Sequence, residues 1–128
     1  MKQKFLVCKH CGKMIAMVKE SGAPTLCCGE EMVALIPGAV DAAKEKHVPV
    51  VTVEGNLVHV KVGEVTHPMT PEHLIEWISI ETKYGNQRHE LSASDAPEAT
   101  FALTEGDEVK AAYAFCNLHG LWVDRICK

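Results

Sequence analysis

Cys8-Lys9-His10-Cys11 and, later in the chain, the adjacent pair Cys27-Cys28 place four thiols within the first thirty residues. Four thiolates suit a tetrahedral site for zinc or iron. A second set is spread over the remainder: His47 in Glu45-Lys46-His47-Val48-Pro49, His67 in His67-Pro68-Met69, His73, and Cys116-Asn117-Leu118-His119-Gly120. Four imidazoles and one thiolate suit different chemistry, a redox iron with one coordination position left for a small ligand. A chain this short rarely carries both sets unless metal chemistry is its purpose.

In the first set, two sulfurs two residues apart can grip one ion from a tight turn. Gly12 after Cys11 and Gly29 after Cys28 permit the backbone reversals. Adjacent cysteines cannot make a second turn of that kind, so Cys27-Cys28 should distort the tetrahedron. The spacing leaves a structural zinc site and a redox iron site both open, because the two metals share four-sulfur ligation. A vicinal disulfide would be strained. His10 has no place in a shell that four thiolates fill, and reads as solvent-exposed.

In the second set, Cys116 and His119 lie three apart in a turn closed by Gly120, so both can reach one ion. Pro68 biases His67 toward extended backbone and restricts its aim. His67 and His73 flank a short loop, and His47 comes from the linker side. A single histidine is more often a surface or core residue than a ligand. His59 and His89 are read that way; the other four are set apart by their combination with Cys116 and with a complete second metal site. Cys127 reads as a free thiol with no metal role.

The elements that must hold these residues are short and mostly β. With 128 residues the chain is one domain, or one small domain plus a stub. Residues 1–36 alternate brief apolar stretches with the cysteine turns. A piece of that size cannot fold on its own apolar surface, so its stability must lean on metal. Ile36-Pro37-Gly38-Ala39 reads as a linker. Asp41 to Lys46 reads as a helical turn capped by Asp41 and stopped by Pro49. From Val50 onward the pattern has period two. Val58, Val60 and Val62 share one face, Ala99, Phe101 and Leu103 another. Val109, Ala111, Tyr113 and Phe115 alternate with Lys110, Ala112, Ala114 and Cys116. Turn signals recur at residues 54–56, 84–86, 94–97 and 105–107. Thr70-Pro71-Glu72-His73 resembles a helix start, but Leu74 to Ile80, rich in Ile and Trp, reads as strand. The sum is an antiparallel sandwich over residues 37–128, immunoglobulin-like in arrangement.

Bulk properties narrow the classes. Net charge is −4, which argues against nucleic acid as a partner. Apolar runs fall far short of the ~20 residues a membrane span needs. The start of the chain lacks the apolar stretch of a signal peptide, so a cytoplasmic location is expected. In a reducing compartment six cysteines point to metal before disulfides.

Taken together, these motifs resemble the desulfoferrodoxin family of two-iron superoxide reductases, over nearly the whole chain. The C-x2-C…C-C segment is similar to a small desulforedoxin-like module, and the remainder to the immunoglobulin-like, neelaredoxin-type sandwich. The resemblance implies that Cys8, Cys11, Cys27 and Cys28 bind one iron. It implies that His47, His67, His73 and His119 are the equatorial nitrogens of a second, with Cys116 its axial sulfur. It further implies one-electron reduction of superoxide to hydrogen peroxide without dioxygen release, a small electron donor such as rubredoxin, and a homodimer. Lys46 would then steer the anion and assist proton delivery, and Glu45 would ligate the ferric resting state. Three rival readings stay testable. A colourless zinc-ribbon binding module would show no redox chemistry. A simple electron carrier would be indifferent to loss of His119. A dismutase would release dioxygen.

Overall fold

The computed structural model describes residues 3–40 and 42–126. The chain divides into two units, Met1–Ile36 and Pro37–Lys128.

The first unit is a set of very short strands between turns. β1 (Phe5–Val7) lies between β2 (Met14–Ala16) and β5 (Val33–Ala34), and β3 (Leu26–Cys27) pairs with β4 (Glu30–Glu31). All pairings are antiparallel. Its apolar centre is small: Leu6, Cys8 and Met32 are buried, with Ile15, Met17 and Cys27 packed against them, and Phe5 is buried as well. A cluster of that size cannot offset the ordering entropy of so many residues.

The second unit opens with α1 (Lys44–His47), a single turn, followed by β6 (Pro49–Glu54), β7 (Leu57–Val62), β8 (Ile75–Thr82), β9 (Asn86–Glu90), β10 (Glu98–Ala102), β11 (Val109–Cys116) and β12 (Gly120–Arg125). These strands form two antiparallel sheets, one ordered β10-β7-β6 and one β12-β11-β8-β9. Val58, Val60, Val62, Ala99 and Phe101 from the first sheet share one buried cluster with Ile75, Ile78, Ile80, Ala112, Ala114 and Cys116 from the second. Two sheets facing each other across one core are a sandwich. The all-β, two-sheet architecture read from the sequence is therefore the architecture of this unit. The four-stranded sheet ends at a metal-type ligand: Cys116 is the last residue of β11, and it is fully buried.

Two local details differ from the expectations. The helical turn covers Lys44–His47, with Ala43 at its N-cap and no side-chain capping bond; the expected cap, Asp41, lies outside the described residues. Thr70 to His73 does not begin a helix. It closes on itself, with Thr70 N–H donating to His73 O (2.9 Å) and His73 N–H to Thr70 O (3.2 Å). Pro71 supplies the fixed φ a tight turn needs, and the chain then enters β8.

Candidate metal centres

The four amino-terminal sulfurs converge. Cys8, Cys11, Cys27 and Cys28 have their Sγ atoms within 4.8 Å of one another. Cys11 Sγ is 3.6 Å from Cys27 Sγ, and Cys27 Sγ is 4.0 Å from Cys28 Sγ. A tetrahedron with metal–sulfur bonds of about 2.3 Å has edges of about 3.8 Å, so the spacing fits one ion held by four thiolates. The first turn is closed by Gly12 N–H to Cys8 O (2.9 Å) and Cys8 N–H to Lys13 O (2.8 Å). The adjacent pair is accommodated by strain. Cys28 has φ of +54°, the left-handed region that a non-glycine residue seldom enters, and Gly29 follows at +77°. That twist turns two neighbouring side chains toward one point, which extended backbone would send to opposite sides.

The thiols titrate as a crowded set. The amide of Cys11 donates to Cys8 Sγ and holds its pKa down at about 6, against the opposing effect of burial. Contact with the sulfurs of Cys11 and Cys8 pushes Cys27 up to about 12. Anionic sulfurs this close repel unless a cation is shared. His10 stays out of the set: exposed, it pairs with Glu30 at 3.0 Å.

The second centre is a ring of four imidazoles. The centroids of His47 and His67 are 4.7 Å apart, His67 and His73 4.7 Å, His73 and His119 5.1 Å, and His119 and His47 4.8 Å. Each neighbouring pair is nearly perpendicular, at 76–87°. His47 and His73 face each other at 6.4 Å, close to the diagonal of a square with those sides. The donor atoms of His47, His67, His73 and Cys116 all lie within 4.8 Å of one another. His119 Nδ1 stands 3.0 Å from His47 Nε2 and 3.7 Å from Cys116 Sγ.

Main-chain carbonyls set the tautomers. His47 Nδ1–H donates to Ala43 O at 2.7 Å, and His67 Nδ1–H to Pro68 O at 2.7 Å. Each neutral ring therefore turns a bare Nε2 lone pair inward, and the two Nε2 atoms are 3.2 Å apart. Lone pairs opposed at that distance repel unless a cation lies between them. His73 Nε2 is buried with no hydrogen-bond partner, the condition of a nitrogen kept for a metal. Burial holds His67 down at about 4, with the neighbouring imidazoles adding to it. Burial also lowers His47 and His73. Neutral imidazoles are the form that binds metal. At Cys116 burial pushes the thiol up, while the amides of Leu118 and His119 pull the other way by donating to its sulfur. The residues present fit iron: nitrogen and thiolate donors, pre-aligned, with carbonyls fixing the rings of His47 and His67 from behind.

The two other sequence candidates lie beside this ring. Glu45 and Lys46 are exposed on α1, next to buried His47. After burial, the ammonium of Lys46 adds to the lowering of both His47 and His73, so its charge reaches both rings. His59 and His89 take no part. His59 bonds Thr100 Oγ1 at 2.9 Å on the exposed sheet face, and His89 packs on Phe101. Cys127 lies outside the described residues.

Sequence reasoning missed Trp122. Its ring stacks on His47 at 5.1 Å, and its Nε1–H donates to His119 O at 3.0 Å. One side chain thus braces two members of the ring from opposite ends of the chain. Its signal was its place at the end of the motif Cys116-Asn117-Leu118-His119-Gly120-Leu121-Trp122, which gave it no role of its own.

Residues 39–125 match the family model described as Desulfoferrodoxin. The desulfoferrodoxin of Nitratidesulfovibrio vulgaris is 43% identical over 90% of each chain. The crystal structure of the superoxide reductase from Treponema pallidum superposes with a TM-score of 0.83 at 47% identity, covering 98% of this chain and 100% of that one. The one-iron superoxide reductase of Giardia intestinalis is 33% identical with a TM-score of 0.56, covering 66% of this chain and 100% of that one.

Proposed function

The chain belongs to the desulfoferrodoxin family, and from that premise we propose that it is a superoxide reductase. The observation that carries this is the near-square ring of four imidazoles beside the buried thiol of Cys116. The reaction takes one superoxide, one electron and two protons to hydrogen peroxide. His47, His67, His73, His119 and Cys116 would hold the reacting iron, and Cys8, Cys11, Cys27 and Cys28 a second. Iron, when bound, supplies the electron and a position for the small anion.

The chain's own groups do the rest. Cys116 would supply a thiolate that donates density to the metal, and the amides of Leu118 and His119 temper it by donating to its sulfur. Lys46 offers a local positive charge on a protein whose net charge is −4, so attraction of superoxide is a local effect. Its ammonium is also a proton source beside the site. Glu45, one residue away, supplies a hard carboxylate suited to the oxidised metal. Exposure of both residues favours fast proton entry and product loss.

Residues 1–36 form the four-cysteine iron module, and residues 37–128 the catalytic sandwich. The electron comes from a small one-electron protein of the rubredoxin kind. The working form is a homodimer in the cytoplasm. Among the described residues no helix is long and apolar enough to cross a membrane.

The test is metal content, visible absorption and product analysis of the purified protein, wild type and Glu45→Ala. Two irons per chain, a ferric–thiolate band on oxidation, and peroxide without dioxygen are expected. Glu45→Ala should keep fast reduction and alter only the ferric band. Zinc with no band would move the protein to a binding module. Dioxygen released with peroxide would make it a dismutase.

A further inference from the structure

We propose that Asn117 is a positioning residue that aims His73 at the second iron, an inference that rests on the superoxide reductase reading above. The β8–β11 ladder runs out at Ile75 and Cys116, with an irregular register between Phe115 and Cys116. His73 lies beyond that end, in the turn closed by Thr70. Asn117 continues the pairing where the ladder stops. Its N–H donates to Leu74 O (3.2 Å), its Oδ1 accepts from Leu74 N–H (3.0 Å), and its Nδ2 donates to Glu72 O (3.0 Å). The side-chain amide thus stands in for a peptide group and bonds main-chain atoms on both sides of His73.

This bracket matters because His73 is held differently from its neighbours. His47 and His67 have a ring N–H tied to a carbonyl. His73 Nε2 is the buried nitrogen that faces the ring, and among the described residues its Nδ1 makes no such bond to a carbonyl, so the aim of the ring depends on where the main chain is pinned. Asn117 pins it to the same turn that carries Cys116 and His119. The amide has one orientation that works: with oxygen and nitrogen exchanged, Leu74 N–H would face a donor and Glu72 O an acceptor. Nor is asparagine present for its tolerance of left-handed backbone, because among the described residues Cys28 is the non-glycine residue with positive φ.

The experiment compares Asn117→Ala, Asn117→Asp and Glu72→Ala with wild type in the full, iron-loaded chain. The readouts are the ferric–thiolate band, the ferric electron paramagnetic resonance line shape, and iron loss to a chelator. Both Asn117 variants should shift the band, broaden the line shape and release the second iron about tenfold faster, the low end for loss of an outer-shell partner. The four-cysteine spectrum should stay unchanged as an internal reference. Asn117→Asp is diagnostic: a turn residue tolerates aspartate, whereas here a carboxylate oxygen would be set against Glu72 O. Glu72→Ala should be silent, because the bond goes to the main chain. Wild-type band, line shape and iron retention in both Asn117 variants would overturn the proposal. If wild type itself shows no second band, the superoxide reductase reading fails first and the inference falls with it.

Discussion

Lys46 acts on an anion against the net charge of its own protein, so its influence is confined to short range. With a Debye length of about 8 Å at physiological ionic strength, its field fades within a few side chains. Lys46→Ala should therefore slow the reaction with superoxide by about tenfold at low salt, the low end of electrostatic steering. It should also flatten the salt dependence. Pulse-radiolysis rates at several ionic strengths measure both, and an unchanged rate and slope would remove Lys46 from steering. At this scale the converging donors were legible because their chemistry is scarce: few side chains bind iron, and their grouping with a second metal set singled them out. The residues that aim them were not. Asparagine in a surface turn and tryptophan in a strand have ordinary explanations. Only the distances from Asn117 to Glu72 and Leu74, and from Trp122 to His119, give them a role.

An element as small as α1 cannot hold itself. Four residues with no side-chain cap are far below the length of a stable isolated helix. It is clamped from the end of β7: Val65 N–H donates to Glu45 O (2.9 Å), and Gly63 N–H to Val48 O (3.1 Å). Gly63 is buried, with φ of +84°, and a Cβ there would come within 2.8 Å of Glu45 O and of the Lys46 carbonyl carbon. Gly63→Ala should cost about 2 kcal/mol or more through backbone strain and displacement. It should also reduce iron bound at the four-histidine centre while leaving the four-cysteine centre loaded. Denaturant midpoints and iron analysis check it; full occupancy at both centres would mean α1 is held otherwise. Element type was readable where one face is buried, as in β7, whose Val58, Val60 and Val62 lie inside while Leu57 and Lys61 lie outside. In β11 alternation is uninformative because Ala111 and Tyr113 are as buried as Ala112 and Ala114. A register shift between Val109 and Ala111 then lets Val109 join the same core as Ala112. A helix boundary set by a clamp 15 to 20 residues further along the chain cannot be seen in the propensity or pattern of Asp41 to Lys46.

Across the whole molecule, stability has two sources. Residues 37–128 bury a two-sheet core; residues 1–36 bury little besides Phe5, Leu6, Cys8 and Met32 and would rely on an ion shared by their four sulfurs. Removing metal under reducing conditions should therefore melt the first unit and spare the second. The chain provides its own reporter, because both tryptophans, Trp77 and Trp122, lie in the second unit. Tryptophan fluorescence follows that unit alone, while far-ultraviolet circular dichroism follows both. In Cys27→Ser, which disarms the first centre, dichroism should lose the β signal of the first unit while the tryptophan transition keeps its midpoint. Acid then separates the second source. Burial holds His67 near 4 in the folded chain, against about 6.5 when unfolded. Between those values the unfolded chain binds a proton the folded one refuses, so stability falls as pH drops from about 6.5 toward 4. His47 and His73 are shifted the same way and add to the slope. The metal-free tryptophan transition should thus move to lower denaturant over that window and hold steady above it. A midpoint independent of pH would mean the imidazole ring is not buried once metal is gone, and that iron, not the sandwich, assembles the site.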